Sequence, residues 1–171
     1  MKKRLVPIVL SLLALLLAAY LIVPNWIWAK ERKVLIKQVR TQLQTDWQSD
    51  DVFFAGEYAE NGEAFLWFKI DAQNETVYRL ARCRLLNNGR YRLREIEIPS
   101  VYCTDIVYCM DVFLINNPDC RAIVAKDNNS AQEIKIDLTP EQLPYVYVTE
   151  PPFSSSTVGF YDAAGVEMQF R

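Results

Sequence analysis

The chain has 171 residues, 51% of them hydrophobic, with 19 Lys and Arg against 21 Asp and Glu and a formal net charge of −2. That length suits one domain with a sizeable core, and the balanced charge argues against nucleic acid as a partner. Histidine is absent, which removes the commonest general base, the commonest metal ligand and every Ser-His-Asp or Cys-His arrangement.

The N-terminus opens with Met1, Lys2, Lys3 and Arg4, followed by nineteen uncharged residues from Leu5 to Val23. As a helix that run covers roughly 28 Å, close to a hydrocarbon core of about 30 Å. It predicts a single transmembrane helix seated in the lipid bilayer through residues 5–23, within an anchor over residues 1–29. A cleaved signal peptide is the competing reading, but the apolar run is longer than a signal core of about 7 to 15 residues. Small residues one and three places before a cut are also missing: Ala19 follows Leu17 at that spacing, and Ala29 follows Ile27. Trp26 and Trp28 suit an aromatic belt, with Lys30, Arg32 and Lys33 at headgroup level. The basic tail favours an inside N-terminus and opposes the count of Lys30, Arg32, Lys33, Lys37 and Arg40 beyond the span. Long domains translocate largely regardless of charge, so the C-terminal part is expected outside the cytoplasm.

Residues 30–50 read as a juxtamembrane helix continuing out of the membrane from about Ala29. Leu35, Val39, Leu43 and Trp47 recur every four residues. Such a stripe belongs to a solvated stalk, or packs on the following domain or on a partner helix. Ser49, Asp50 and Asp51 end it.

Residues 51–171 change to short runs rich in Val, Ile, Tyr and Phe, separated by turn residues. The strands expected are 52–58, 64–71, 76–86, 90–98, 111–115, 122–126, 133–138, 145–149, 158–161 and 166–170. Asn61-Gly62, Asn88-Gly89 and Asp162 to Gly165 are turns by composition. Thr139-Pro140-Glu141-Gln142 is a capping box that Pro144 stops after one turn. Closely spaced strands without intervening helices predict a mainly β fold: one antiparallel β domain, a sandwich or a strongly bent sheet.

Cys83, Cys103, Cys109 and Cys120 all fall in this domain. Outside the cytoplasm an even number of cysteines fits one or two disulfides. Only five residues separate Cys103 from Cys109, so that bridge is expected, leaving Cys83 for Cys120. The alternative is four buried thiols acting as small hydrophobes. The spacing lacks the close pairs of a structural zinc site.

Six arginines crowd one stretch: Arg79, Arg82, Arg84, Arg90, Arg92 and Arg94. A two-residue Asn88-Gly89 turn would mix charged and apolar side chains on both faces of the hairpin. A three-residue turn, Asn87-Asn88-Gly89, with glycine left-handed, pairs Leu85 with Tyr91 and Cys83 with Leu93. It segregates Ala81, Cys83, Leu85, Tyr91 and Leu93 from Arg82, Arg84, Arg90, Arg92 and Arg94, and a one-residue slip would exchange the faces. Arg84 then opposes Arg92 and Arg82 opposes Arg94, so acids must compensate. Glu57, Glu95, Glu97, Glu133 or Asp137 could supply them. So could an anionic ligand: an envelope polymer, a lipid headgroup or an acidic partner such as another membrane protein.

Other signals are weaker. Asp127, Asn129 and Glu133 hint at calcium but lack the loop glycine and enough oxygen ligands, so no metal is expected. No cofactor motif is present. Asn74-Glu75-Thr76 and Asn128-Asn129-Ser130 are glycosylation sequons. Trp47 and Trp67 suit a core better than a sugar platform. Together these features predict a membrane-anchored extracytoplasmic binding or interaction module, a non-catalytic accessory or sensor of a cell envelope. The competing class is a small envelope enzyme with paired carboxylates, resembling a glycan hydrolase in needing no histidine. Asp71, Asp105, Asp111 and Asp119 are its candidate acids, unpaired by any motif.

Overall fold

The computed structural model describes residues 28–72, 75–154 and 157–169. The predicted span over 5–23, the basic tail and Trp26 lie outside them, as do Asn74 and the end of the last expected strand. Among the described residues no helix is long and apolar enough to cross a membrane.

The fold is mainly β. Twelve strands follow in chain order: β1 (Trp28–Ala29), β2 (Val52–Glu60), β3 (Glu63–Ala72), β4 (Glu75–Leu85), β5 (Tyr91–Glu97), β6 (Ser100–Cys103), β7 (Ile106–Cys109), β8 (Val112–Ile115), β9 (Ala122–Lys126), β10 (Glu133–Asp137), β11 (Tyr145–Val148) and β12 (Val158–Tyr161). Among the described residues one α-helix, α1 (Arg32–Trp47), lies between β1 and β2. The strands form three antiparallel sheets: five strands in the order β1-β5-β4-β3-β2, four in the order β11-β8-β7-β6, and three in the order β10-β9-β12. None of the three closes into a barrel.

These sheets stack in layers, each interface a separate apolar core. Between α1 and the five-stranded sheet lie Leu35, Val39, Leu43, Leu66, Phe68, Ile70, Ala81 and Cys83. The opposite face of that sheet meets the four-stranded sheet through Phe65, Trp67, Leu80, Val107 and Leu114. The four-stranded sheet then meets the three-stranded sheet through Ile106, Phe113, Ile115, Ile123 and Phe160. A middle sheet covered on both faces needs apolar side chains in both directions, and the run Val112-Phe113-Leu114-Ile115 is buried at all four positions. Gly56, at a bulge in β2, allows close approach: a Cβ there would stand 3.0 Å from Leu114 Cδ1.

Two elements differ from the sequence reading. Trp28 and Ala29 do not begin a helix; they form an edge strand on β5, Trp28 opposite Arg92 and Ala29 opposite Tyr91. The helix starts at Arg32 instead of Ala29. Its stripe follows one of the readings offered for it, packing on the following domain with Leu35, Val39 and Leu43 0–2% exposed against the sheet. Also unexpected is the hairpin of β6 and β7, which occupies the segment read as a disulfide loop. Asp105 turns that hairpin with φ 57°. The last expected strand reduces, among described residues, to one bridge between Tyr161 and Glu167.

Candidate anion-binding face

β4 and β5 carry arginine at alternating positions, so their register decides where the charges point. The three-residue turn forms. The Leu86 N–H donates to Arg90 O at 2.8 Å, the Gly89 N–H donates to Leu86 O at 2.9 Å, and Gly89 has φ +73°. Leu85 opposes Tyr91, Arg84 opposes Arg92 and Cys83 opposes Leu93. Beyond Cys83 a bulge intervenes, placing Glu95, not Arg94, opposite Arg82 and Ile96 opposite Ala81. One extra residue in β5 thus replaces a like-charge pair by an opposite-charge pair and returns Ile96 to the core side.

The separation of faces holds, with one correction. Ala81 and Cys83 are buried under α1 and Tyr91 and Leu93 are half-buried there, but Leu85 is 40% exposed. It belongs to the last pair before the loop, at the margin of the sheet.

On the other face Arg82 is tied to three carboxylates: Nη1 to Glu95 at 3.3 Å, Nη2 to Glu63 at 3.7 Å and Nε to Glu97 at 4.0 Å. It also lies 5.7 Å from the Phe65 ring centre. Arg94 reaches Glu63 at 3.5 Å. Glu95 and Glu97 are therefore compensating acids that the sequence could suggest. The other three serve elsewhere: Glu57 pairs with Arg32 at 3.0 Å, Glu133 with Lys126 at 3.5 Å and Asp137 with Lys135 at 2.9 Å. Glu63 was missed. Only the pairing of β3 with β4, which sets it opposite Arg84, brings it to the patch. Arg79 points to the helix side, its guanidinium 4.5 Å from the Trp47 ring centre, where burial lowers its pKa.

Arg84 and Arg90 are exposed and form an ion pair with none of the described residues; Arg92 is half-buried on the strand that binds β1. Lys30 follows directly on Ala29, the residue opposite Tyr91, and Lys33 lies in the first turn of α1. Lys30 and Lys33 are also exposed and unpaired among the described residues. The hairpin end of the five-stranded sheet thus carries Arg84 and Arg90 with Leu85 exposed between them in sequence, and Lys30 and Lys33 follow the strand that pairs with β5.

Neither expected disulfide forms; all four cysteines are free. Cys103 faces the core between the four- and three-stranded sheets, whereas Cys109 packs against the opposite face of the same sheet. Across the hairpin Cys103 pairs with Ile106 and shares its face, while Cys109 lies three residues beyond Ile106 on β7 and so points to the other face, which keeps these thiols apart. Cys83 lies under α1 and Cys120 lies in the Cys103 core, with the other layers between them. The Cys109 Sγ donates to Glu97 Oε1 at 3.3 Å. Burial pushes the Cys83 thiol up to about 12 and the Cys103 and Cys109 thiols up to about 11, and it raises Cys120 too. These are packing groups, not nucleophiles.

The candidate acids fall at four separate places. Asp119 lines a cleft of about 620 Å³ with Asp162 and Glu167. There Asp162 Oδ1 accepts the Ala164 and Val166 N–H groups, both at 2.9 Å, and Glu167 Oε1 accepts the Tyr102 hydroxyl at 3.2 Å. Asp71 borders a cleft of about 650 Å³ beside Trp47; its Oδ1 accepts Thr76 Oγ1 at 2.7 Å and lies 3.7 Å from Lys69 Nζ. Asp105 accepts the Tyr78 hydroxyl at 2.6 Å, and Tyr78 in turn accepts Asn116 Nδ2 at 3.0 Å. Asp111 sits in the β7–β8 turn, where its backbone oxygen accepts the Thr149 N–H at 2.9 Å. Asp127 closes its own turn, accepting the Asn129 N–H at 3.0 Å and the Ser130 hydroxyl. Those bonds hold its carboxyl below the usual range, opposite to the need of a general acid. Trp67 is a core residue, fully buried.

Comparison with protein-family models, with curated proteins and with solved structures returned no match to this chain.

Proposed function

We propose that the protein is a membrane-anchored, extracytoplasmic binding module of a cell envelope, with no chemistry of its own and with the basic hairpin end of its five-stranded sheet as the contact surface. The observation that carries this reading is the pairing of β1 with β5. It joins the chain emerging from the predicted anchor directly to the strand bearing Arg92. A domain attached in this way presents one fixed surface near its anchor, which suits recognition at the membrane. Arg84, Arg90, Lys30 and Lys33 leave positive charge there that no described carboxylate answers. Asp71, Asp162 and Glu167 in the clefts are engaged in holding turns and strands, which weighs against the paired-carboxylate enzyme.

Two of the five basic residues beyond the span, which counted against an outside domain, are engaged by the fold. Arg32 pairs with Glu57 and Arg40 is half-buried. With the cysteines free, the outside location rests on the basic tail alone. Protease added to intact spheroplasts tests it: digestion of the domain without lysis is expected. Full protection until lysis reverses the topology.

A further inference from the structure

We infer that the basic hairpin end docks on anionic phospholipid headgroups of the bilayer in which the chain is anchored. This rests on the anchored-module reading and adds the partner of the surface. The argument begins with reach. Val23, the end of the apolar run, and Trp28 are five positions apart, and even fully extended chain of that length spans at most about 18 Å. Trp28 is hydrogen-bonded alongside Arg92, one strand spacing of about 4.8 Å further on. The arginine strand therefore cannot lie more than roughly 23 Å from the membrane end of the span. A soluble polymer or a separate protein has to be recruited to this surface. The headgroups are held beside it by the covalent chain.

Charge and composition fit the same partner. Lys30, Lys33, Arg84 and Arg90 are exposed with no ion pair to a described residue, and surface potential from anionic lipid attracts such groups within a Debye length of about 8 Å. Arg84 stands directly opposite Arg92, so both side chains leave the same face of the sheet at this end. Leu85, 40% exposed, lies at this end, and an apolar side chain amid basic ones suits the boundary between headgroups and acyl chains. By contrast Arg82 and Arg94, further from the loop, are already neutralised by Glu63, Glu95 and Glu97. The contact is thus confined to the hairpin end.

The test uses the full chain reconstituted in vesicles of phosphatidylcholine alone or of phosphatidylcholine with phosphatidylglycerol. Asn87→Cys, at the exposed loop, is labelled with an environment-sensitive fluorophore at neutral pH, where the native thiols stay protonated; unsubstituted chain is the labelling control. Quenching by neutral acrylamide is read at neutral pH, and flotation of a parallel sample through carbonate establishes that the chain is anchored. Docking predicts quenching roughly three-fold weaker in the anionic vesicles, recovered in high salt. Each of Arg84→Ser, Arg90→Ser and Lys30→Ser should lower the ratio of docked to free domain about five-fold. Equal quenching in both vesicle types, with flotation intact, overturns the docking and leaves the anchor standing. Protection that appears only on adding a soluble polyanion also overturns it, in favour of an envelope polymer. Loss from the floated fraction instead defeats the anchor reading.

Discussion

Replacing Leu35 with Ala asks whether α1 belongs to the folded domain or stands away from it. Leu35 is fully buried against the β3–β4 face of the five-stranded sheet. Truncation removes three carbon atoms from a site enclosed by helix on one side and strand on the other, where collapse is limited. Core Leu→Ala changes of this kind cost about 3 kcal/mol, transfer and cavity contributions together. In a domain of this size, that corresponds to a fall in Tm of about 12 °C. The assay is thermal unfolding of the full chain in detergent, followed by the far-ultraviolet β signal and accompanied by Lys37→Ala. Lys37 is exposed on the same helix, so its loss should stay within about 0.5 kcal/mol. A Leu35→Ala protein melting together with Lys37→Ala would refute the packing of α1 and restore the free stalk.

Gly89 has φ +73° with open space around it, so Gly89→Val should cost about 1–2 kcal/mol from backbone strain alone, and Gly89→Asn clearly less; chemical denaturation of the two variants measures the difference. Arg84→Ser should leave stability unchanged or slightly raised in the absence of lipid, by removing repulsion from Arg92. Arg82→Ser should lower it by about 1 kcal/mol, an effect that shrinks in salt because the pairs are partly exposed. The buried thiols bind their protons more tightly in the folded state than unfolded, where they titrate near 9.0. Their contribution is therefore complete below about pH 9 and lost as pH rises toward 11–12. Urea midpoints should hold steady near neutrality and fall on the alkaline side, and a midpoint that rises there would contradict the burial.

Local chemistry determined much of this protein. Short runs rich in Val, Ile, Tyr and Phe mark nine of the strands, and Asn61-Gly62 and Asn87-Asn88-Gly89 mark their turns, because composition and turn conformation are properties of a few adjacent residues. The separation of arginine from apolar side chains decided the β4–β5 register for the same reason. Tertiary structure decided the rest. The bulge that turned Arg82 from Arg94 to Glu95, and the approach of Glu63 from β3, depend on which strands meet. Hairpin β6–β7 was hidden because its cysteines suggested a covalent loop, whereas alternation sends Cys103 and Cys109 into different cores. Whether the Leu35, Val39, Leu43 stripe finds a sheet or water is likewise invisible in its spacing. The strand at Trp28 and Ala29 is too short to carry any period; only the exposed edge of β5, formed from residues more than sixty positions away, makes it a strand. Sequence records what each segment can bury, and packing selects the partner that buries it.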